Sequence, residues 1–467
     1  MIKHLKAFAG ACLLLLASIN LGAGEPGVKL PAYKKLTLKN GMVVLLMEQH
    51  KVPLVNLHLT LRAGTTQDPQ GKEGLASLTA NLLRKGTRTR TAEKISSELD
   101  AAGANYAAFA TLDASGCTAE FMRKEIAGGL ALFADLVMQP SFPESEVQKL
   151  RAQRIDGIRS AKDSAQGVIR NYFNAFLYGD HPYGHAQAGD ERSLAGLTQA
   201  DVAAFHATHY LPANAILAVV GDFKTAEMER LVTEHFGAWH AAGNPKRAEL
   251  GQPHPIQGRK LLLVNKPDAT QTYFMVGNLG VARSNPDRVG IQVVNVLFGE
   301  RFTSMINTAL RIKSGLTYGA NSNFGMFQVP GPFAISSFTA NATTGKALDL
   351  TLETLKDLHE KGISEADLAS AKAYIKGTLP PKTLETGQQL AAILSDLQLY
   401  GLPDSEVDGF FAKVDALTMA DAKRVIRTYF PDKDLCFVLI GKASEIKPMA
   451  DAFAPRISTK SISEPGF

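Results

Sequence analysis

Gly74 to Thr87 reads GLASLTANLLRKGT, and Leu310 to Tyr318 reads LRIKSGLTY. In the first stretch Leu75, Leu78, Leu82 and Leu83 recur at helical spacing, which predicts a core helix with one apolar face. Residues four apart on a helix lie together, so positions 77 and 81 present their side chains on one face with position 80 beside them. Those positions hold Ser77, Ala80 and Asn81. Metal ions such as zinc are held by His, Cys and acidic side chains, so a face of serine and asparagine offers a metal little, and alanine has no proton acceptor. In the second stretch Arg311 and Tyr318 stand seven residues apart. A guanidinium and a phenol are good donors to an oxygen that is gaining negative charge. Both residue types also serve as structure: Arg311 could cap the last turn of a helix over Thr303–Leu310, and Tyr318 could be a core residue opening a strand.

Around these stretches lies a chain of 467 residues, too long for one compact domain and suited to two. Its 45% apolar and 20% charged content are those of a globular protein with a full core. Met1 to Lys6 is short and basic, Ala7 to Leu21 is apolar, and the small residues Gly22 to Gly24 follow. This pattern predicts a signal peptide over residues 1–23, cut after Ala23, and export to the periplasm. The apolar run falls short of the roughly 20 residues a membrane span needs, so stable membrane insertion is not expected. The net charge of +5 becomes +3 without Lys3 and Lys6, too mild to argue for nucleic acid. Cys117 and Cys436 remain after the leader, in strand-like segments of opposite halves. They read as buried thiols, with a disulfide between them left open.

The two halves repeat each other at an offset near 220 residues. LTQADVAAFHATHYLPANAILAVVGDF from Leu197 recurs as LTMADAKRVIRTYFPDKDLCFVLIGKA from Leu417. FPESEVQKLRAQRIDGI from Phe142 pairs with ISEADLASAKAYIKGTL from Ile363 in the same register. Strand patterns alternate with helical ones: a half-buried strand over Val55–Arg62, helices over Thr91–Ala102 and Ile126–Met138, and strand-rich segments at 105–121 and 319–341. The layout is α+β, with helices packed on a mainly antiparallel sheet in each repeat. The expected units are residues 30–240, a linker at 241–260, and residues 261–455, followed by a polar, loose tail.

GLASLTANLLRKGT resembles the active-site helix of the insulinase (pitrilysin) family of zinc peptidases, whose pattern runs G-L-A-H-L-x-E-H-x-L-x-K-G-T. By that resemblance Ser77 and Asn81 replace the two zinc-binding histidines and Ala80 replaces the catalytic glutamate. The third ligand falls near Gly157 in RAQRIDGIR, where Asp156 is the only nearby carboxylate. HPYGHAQAGDERSLAGLT from His181 is similar to the family's H-P-Y-G stretch, and LRIKSGLTY resembles its Arg–Tyr segment. The resemblance covers essentially the whole mature chain and implies two homologous domains facing each other around a chamber. It implies that Arg311 and Tyr318 are the catalytic residues of this chain, which binds no metal or other cofactor itself. Zinc is expected in a partner subunit that carries H-x-x-E-H, in a heterodimer hydrolysing unfolded peptides. An inert assembly scaffold with the same fold is the alternative. An active zinc peptidase by itself is contradicted by Ser77, Ala80 and Asn81.

Other candidates are weaker. His181 and His185 belong to a turn around Pro182 and Gly184, with no third ligand placed beside them. His206 and His209 are expected on a partly exposed helix face. Gly299 in FGERFTS is no phosphate loop, because no G-x-x-x-x-G-K motif is present.

Overall fold

The computed structural model describes residues 27–240 and 249–467. The expected signal peptide and residues 241–248 of the expected linker lie outside the described residues. The first repeat runs β1 (Lys34–Thr37), β2 (Val43–Glu48), β3 (Leu54–Leu61), α1 (Leu75–Leu82), α2 (Ala92–Ala101), β4 (Asn105–Ala110) and β5 (Ser115–Met122). It continues through α3 (Ile126–Met138), α4 (Glu144–Ala161), α5 (Ala165–Tyr178), α6 (Glu191–Ala195), α7 (Gln199–His209), β6 (Ala215–Gly221) and α8 (Thr225–Phe236). The second repeat has β7 (Lys260–Asn265), β8 (Gln271–Leu279), α9 (Arg288–Asn295), α10 (Met305–Asn307), β9 (Ala320–Met326) and β10 (Pro330–Ala340). Then come α11 (Thr344–Glu360), α12 (Glu365–Thr383), α13 (Gly387–Tyr400), α14 (Ser405–Asp408), α15 (Phe410–Ala416), α16 (Met419–Tyr429), β11 (Cys436–Gly441), α17 (Ala443–Ala450) and β12 (Arg456–Ser461).

Each repeat builds a six-stranded sheet, ordered β1-β2-β6-β3-β5-β4 in the first and β12-β7-β11-β8-β10-β9 in the second. The inner five strands correspond one to one, and in both sheets the last strand of the repeat inserts beside the first: β6 pairs in parallel with β2, and β11 with β7. The remaining inner pairs are antiparallel, so the sheets are mixed with an antiparallel majority. The residues that made the repeat visible have local jobs. Thr198 and Thr418 cap α7 and α16, each accepting from the backbone of Asp201 or Asp421, whose carboxylates bond back to the cap N–H. Gly221 closes β6 with φ 149°, and a Cβ there would lie 2.1 Å from the Leu54 carbonyl.

The outer strands differ: β1 precedes its sheet and runs antiparallel to β2, whereas β12 follows and runs parallel to β7. The stretch after Pro455, expected to be loose, thus forms an edge strand. Beyond it Gly466 N–H donates to Glu191 at 2.8 Å, and Phe467 packs edge-on against Tyr172 of α5. Backbone pairing with β7 and the packing of Ile457 and Ile462 on the two cores settle this tail on the sheet, which its polar composition concealed.

Val55–Arg62 also departs from expectation. As β3 it occupies a central position and is covered on both sides, with Asn56 and Thr60 buried along with the leucines. The second cover comes from the other repeat. Leu390, Ala391, Leu394 and Leu397 of α13 pack on Leu45, Met47, Ile216, Ala218 and Val220 of the first sheet. Reciprocally, Val168, Ile169, Tyr172, Phe173 and Leu177 of α5 pack on Leu262, Val264, Met275, Cys436, Val438 and Ile440 of the second. Each sheet keeps its own helices on the opposite face, where Leu217 and Val219, or Phe437 and Leu439, point. Successive strand residues face opposite ways, so two covered faces require the uninterrupted apolar runs of β6 and β11. Each leucine so buried contributes about 1.5–3 kcal/mol.

The seam between repeats carries one buried carboxylate. Asp113 accepts from Tyr183 Oη at 2.7 Å, from Tyr400 Oη at 2.9 Å and from Gln328 N–H at 2.8 Å, joining the turn before β5, the segment after α5, the end of α13 and the turn before β10. Burial, reinforced by the Asp113 charge, pushes both phenols well above the usual tyrosine range. Cys117 and Cys436 are free, and burial raises each thiol to about 12. Among the described residues no helix is long and apolar enough to cross a membrane.

Tyr183→Phe and Tyr400→Phe should each cost about 1–3 kcal/mol, the loss of one donor to a buried carboxylate. The double variant should depart from the sum of the singles, since both donors serve one group. Urea titrations of the four proteins check this. Unchanged midpoints would show that the seam does not depend on Asp113.

Candidate functional site

The structure places the two halves of the sequence-derived site on different repeats. The α1 helix starts behind Gly74, whose φ of +93° suits glycine and whose absent Cβ leaves room for the Ala188–Gly189 backbone, 2.7 Å away. Asp68 holds the start of the helix, accepting N–H bonds from Gly74 at 2.8 Å and Ala76 at 2.7 Å. Leu75, Leu78 and Leu82 are buried with Ala80, as a core helix demands. The side chain of Asn81 turns back, its amide donating to the Ser77 carbonyl at 2.9 Å.

Beside Ser77 lies a residue the sequence reading missed. Arg154 of α4 donates from Nη1 to Ser77 Oγ at 3.1 Å and from Nη2 to the Ser77 carbonyl at 2.9 Å. Gly157, where the resemblance sets the third ligand, is exposed, and Asp156 pairs with Arg159 at 3.4 Å on the outer face of α4. Burial lowers the Arg154 guanidinium to about 10, against the pull of Asp68, and burial raises the Asp68 carboxyl to about 7, against its two N–H donors. The signal for Arg154 was available: it is a charged residue on the helix face marked by buried Val147 and Ile158. Zinc does not fit this set of groups, because a serine hydroxyl, a turned amide and a guanidinium offer a cation no anionic or imidazole ligand. Among the described residues no cluster of three or more His, Cys, Asp or Glu side chains is arranged to hold a metal.

Arg311 and Tyr318 occupy the opposite kind of setting. The helix expected over Thr303–Leu310 is displaced along the chain: Ser304 caps α10, which continues into a widened turn over Thr308–Lys313, so Arg311 lies within the helical segment rather than capping its end. Gly315, at φ +63°, reverses the chain, with Gly315 N–H bonded to the Arg311 carbonyl and Leu316 N–H to that of Leu310. Leu316 packs into the second core, and buried Thr317 is linked to Ser337 of β10. Asn307 accepts from Ala320 N–H at 3.1 Å. The consecutive residues Ser314, Gly315, Leu316 and Thr317 are therefore spent on holding the loop, and Tyr318 projects from it 80% exposed. It is not a core residue. The Arg311 guanidinium lies 4.8 Å over the ring of Phe302, itself 62% exposed, and makes no hydrogen bond or ion pair among the described residues. No such bond connects Ser77 or Arg154 with Arg311 or Tyr318 either.

The histidine candidates are structural. His181 uses both ring nitrogens, accepting from Tyr183 N–H and meeting the Gly251 carbonyl at 3.0 Å. His206 bonds the Val137 carbonyl at 2.9 Å and stacks on Tyr210, while His209 is buried against Phe205. The partly exposed setting expected for them holds for His206, whereas His209 is buried.

Comparison with known proteins agrees with this architecture. A family model described as insulinase (peptidase family M16) matches residues 43–191, and one described as peptidase M16 inactive domain matches residues 196–375. An uncharacterised zinc protease of Mycobacterium leprae is 27% identical over 346 residues, 73% of this chain and 77% of that protein. A crystal structure of a peptidase M16 inactive domain from Pseudomonas fluorescens superposes with a TM-score of 0.82 at 26% identity, covering 88% of this chain and 98% of that one. A protease from Helicobacter pylori shares the fold, with a TM-score of 0.83 at 22% identity over 88% of this chain and the whole of that one. With two successive family matches over two repeats of one mixed-sheet fold, this chain belongs to the insulinase family, peptidase family M16.

Proposed function

We propose that this chain is the metal-free subunit of a periplasmic two-chain M16 peptidase, lending Arg311 and Tyr318 to the active site of a partner that carries H-x-x-E-H. The observation that carries the reading is the contrast between the two half-sites. The Ser77 side is closed by internal bonds, whereas Arg311, stacked on Phe302, and Tyr318 are held on a firmly pinned loop with no hydrogen-bond or ion-pair partner among the described residues. A loop so thoroughly fixed around two unspent donors suits a group outside the chain. The alternative of an inert scaffold needs neither side chain.

The chemistry follows from the charges involved. Attack on a peptide carbonyl turns its oxygen into an oxyanion. In such a partner the two H-x-x-E-H histidines would hold zinc, which would supply an activated water, and the glutamate would take its proton. Arg311 contributes a permanent positive charge with several N–H donors, and Tyr318 an O–H donor, both aimed at charge that exists only near the transition state. Donors fixed before the reaction need no reorganisation when that charge appears, so they favour the transition state over the bound substrate. The proposed substrates are unfolded peptides.

The mature chain alone should cleave no peptide, and an assay with a quenched fluorescent peptide library checks this. Mixed with its H-x-x-E-H partner, it should support hydrolysis, and Arg311→Ala or Tyr318→Phe should lower kcat by about 10²–10³ with little change in KM. Tyr318→Phe removes one hydroxyl from an exposed ring and leaves the fold alone. Wild-type turnover by both variants in intact complexes would make the pair structural and favour the scaffold.

A further inference from the structure

We propose that the Arg154 guanidinium takes the place of a metal cation between α1 and α4, tying the two helices together and barring a divalent ion from the position. The inference concerns the first repeat alone and does not depend on the role given to Arg311 and Tyr318.

Losing ligands would by itself leave two helices without the bond that a shared ion provides. In this chain the bond is present in another form. The guanidinium reaches from α4 and spans both the side chain and the backbone carbonyl of Ser77 on α1, at 3.1 and 2.9 Å. The planar fork of arginine makes such two-point contacts where an ammonium would make one. The nearest opposite charge, Asp68, is already engaged by the N–H groups of Gly74 and Ala76 at the start of α1. One positive charge is therefore fixed among the groups that the helix pair can offer it. A second cation set beside it would meet strong like-charge repulsion in a poorly solvated place.

Two features make the exclusion more than the absence of ligands. The contact to the Ser77 carbonyl belongs to the backbone, so it survives any side chain placed at position 77. Gly157, by contrast, has open space around its missing Cβ, so a glutamate could be accommodated there without displacing a neighbour. Restoring the four lost side chains should consequently fail while Arg154 remains, and its removal should be the deciding step.

The test compares two full-length proteins. One carries Ser77→His, Ala80→Glu, Asn81→His and Gly157→Glu; the other carries these changes together with Arg154→Met, which keeps the aliphatic stem. Each is equilibrated with zinc, freed of unbound metal by gel filtration and measured by elemental analysis. Replacing zinc with cobalt gives a visible spectrum that reports tetrahedral binding. The expected result is negligible metal in the first protein and about one ion per chain in the second. Equal metal content in the two, whether one ion or none, overturns the proposal. Should Arg154→Met fail to fold, judged by circular dichroism, Arg154→Gln in the same background removes the charge with a smaller loss of polarity, and the same comparison decides. In the otherwise native chain, Arg154→Met should lower the melting temperature and Arg154→Lys should recover only part of the loss. An unchanged melting temperature would remove the tie.

Discussion

Neither sheet in this molecule can bury both faces with the helices of its own repeat. Each borrows one: α13 crosses to the first sheet, and α5 crosses to the second. The strands answer that arrangement with apolar residues on both sides, and a polar group turned toward either cover would lack a partner. Exchange of this kind makes the repeats mutually dependent. The seam then has to satisfy its own polar groups, and at its centre Asp113 does so with two tyrosines and one backbone N–H.

That dependence bears on how one half of a site can be lost while the other is kept. The helices α1 and α4 belong to the first repeat and pack away from the seam's shared core, on the face that each repeat covers by itself. Changes at Ser77, Ala80 and Asn81 can be absorbed there, provided the helix pair stays tied, and the Arg154 contact supplies the tie. The loop bearing Arg311 and Tyr318 hangs on the second repeat through Asn307, Gly315, Leu316 and Thr317, none of which touches the altered helix pair. The proposed division of labour between two chains requires this independence: one half-site can close without disturbing the other.

Much of the fold was legible because its signals are local. The repeat could be read from paired caps and strand-ending glycines, since a cap, or a neighbour too close for a Cβ as at Gly221 and Gly441, restricts residue choice wherever it occurs. Helix α3, from Ile126 to Met138, was read to the residue because its apolar face is continuous and Pro140 follows. What escaped depends on distant partners. The second cover of β3 comes from α13, more than 300 residues away in sequence. Apolar residues on both faces of a strand are compatible with several covers, so the sequence could not name this one. The edge strand β12 hid in polar composition, because one of its faces is open. Arg154 is hidden in the sequence because the family pattern sets a carboxylate near Gly157, and the charge that stands one turn away has the opposite sign. Arg311 and Tyr318 were legible as a pattern, but the exposure of Tyr318 and the absence of hydrogen-bond or ion-pair partners for either among the described residues follow from how the loop around them is placed.

The central claim is that Tyr318 works outside its own chain, at the active helix of another. Site-specific photocrosslinking from position 318 addresses it directly. A benzoylphenylalanine is introduced there, the complex with an H-x-x-E-H chain is irradiated, and the crosslinked peptides are sequenced by mass spectrometry. The account predicts crosslinks to the partner's segment containing H-x-x-E-H or its immediate surroundings. Crosslinks confined to this chain, or to a partner surface remote from that motif, would contradict it.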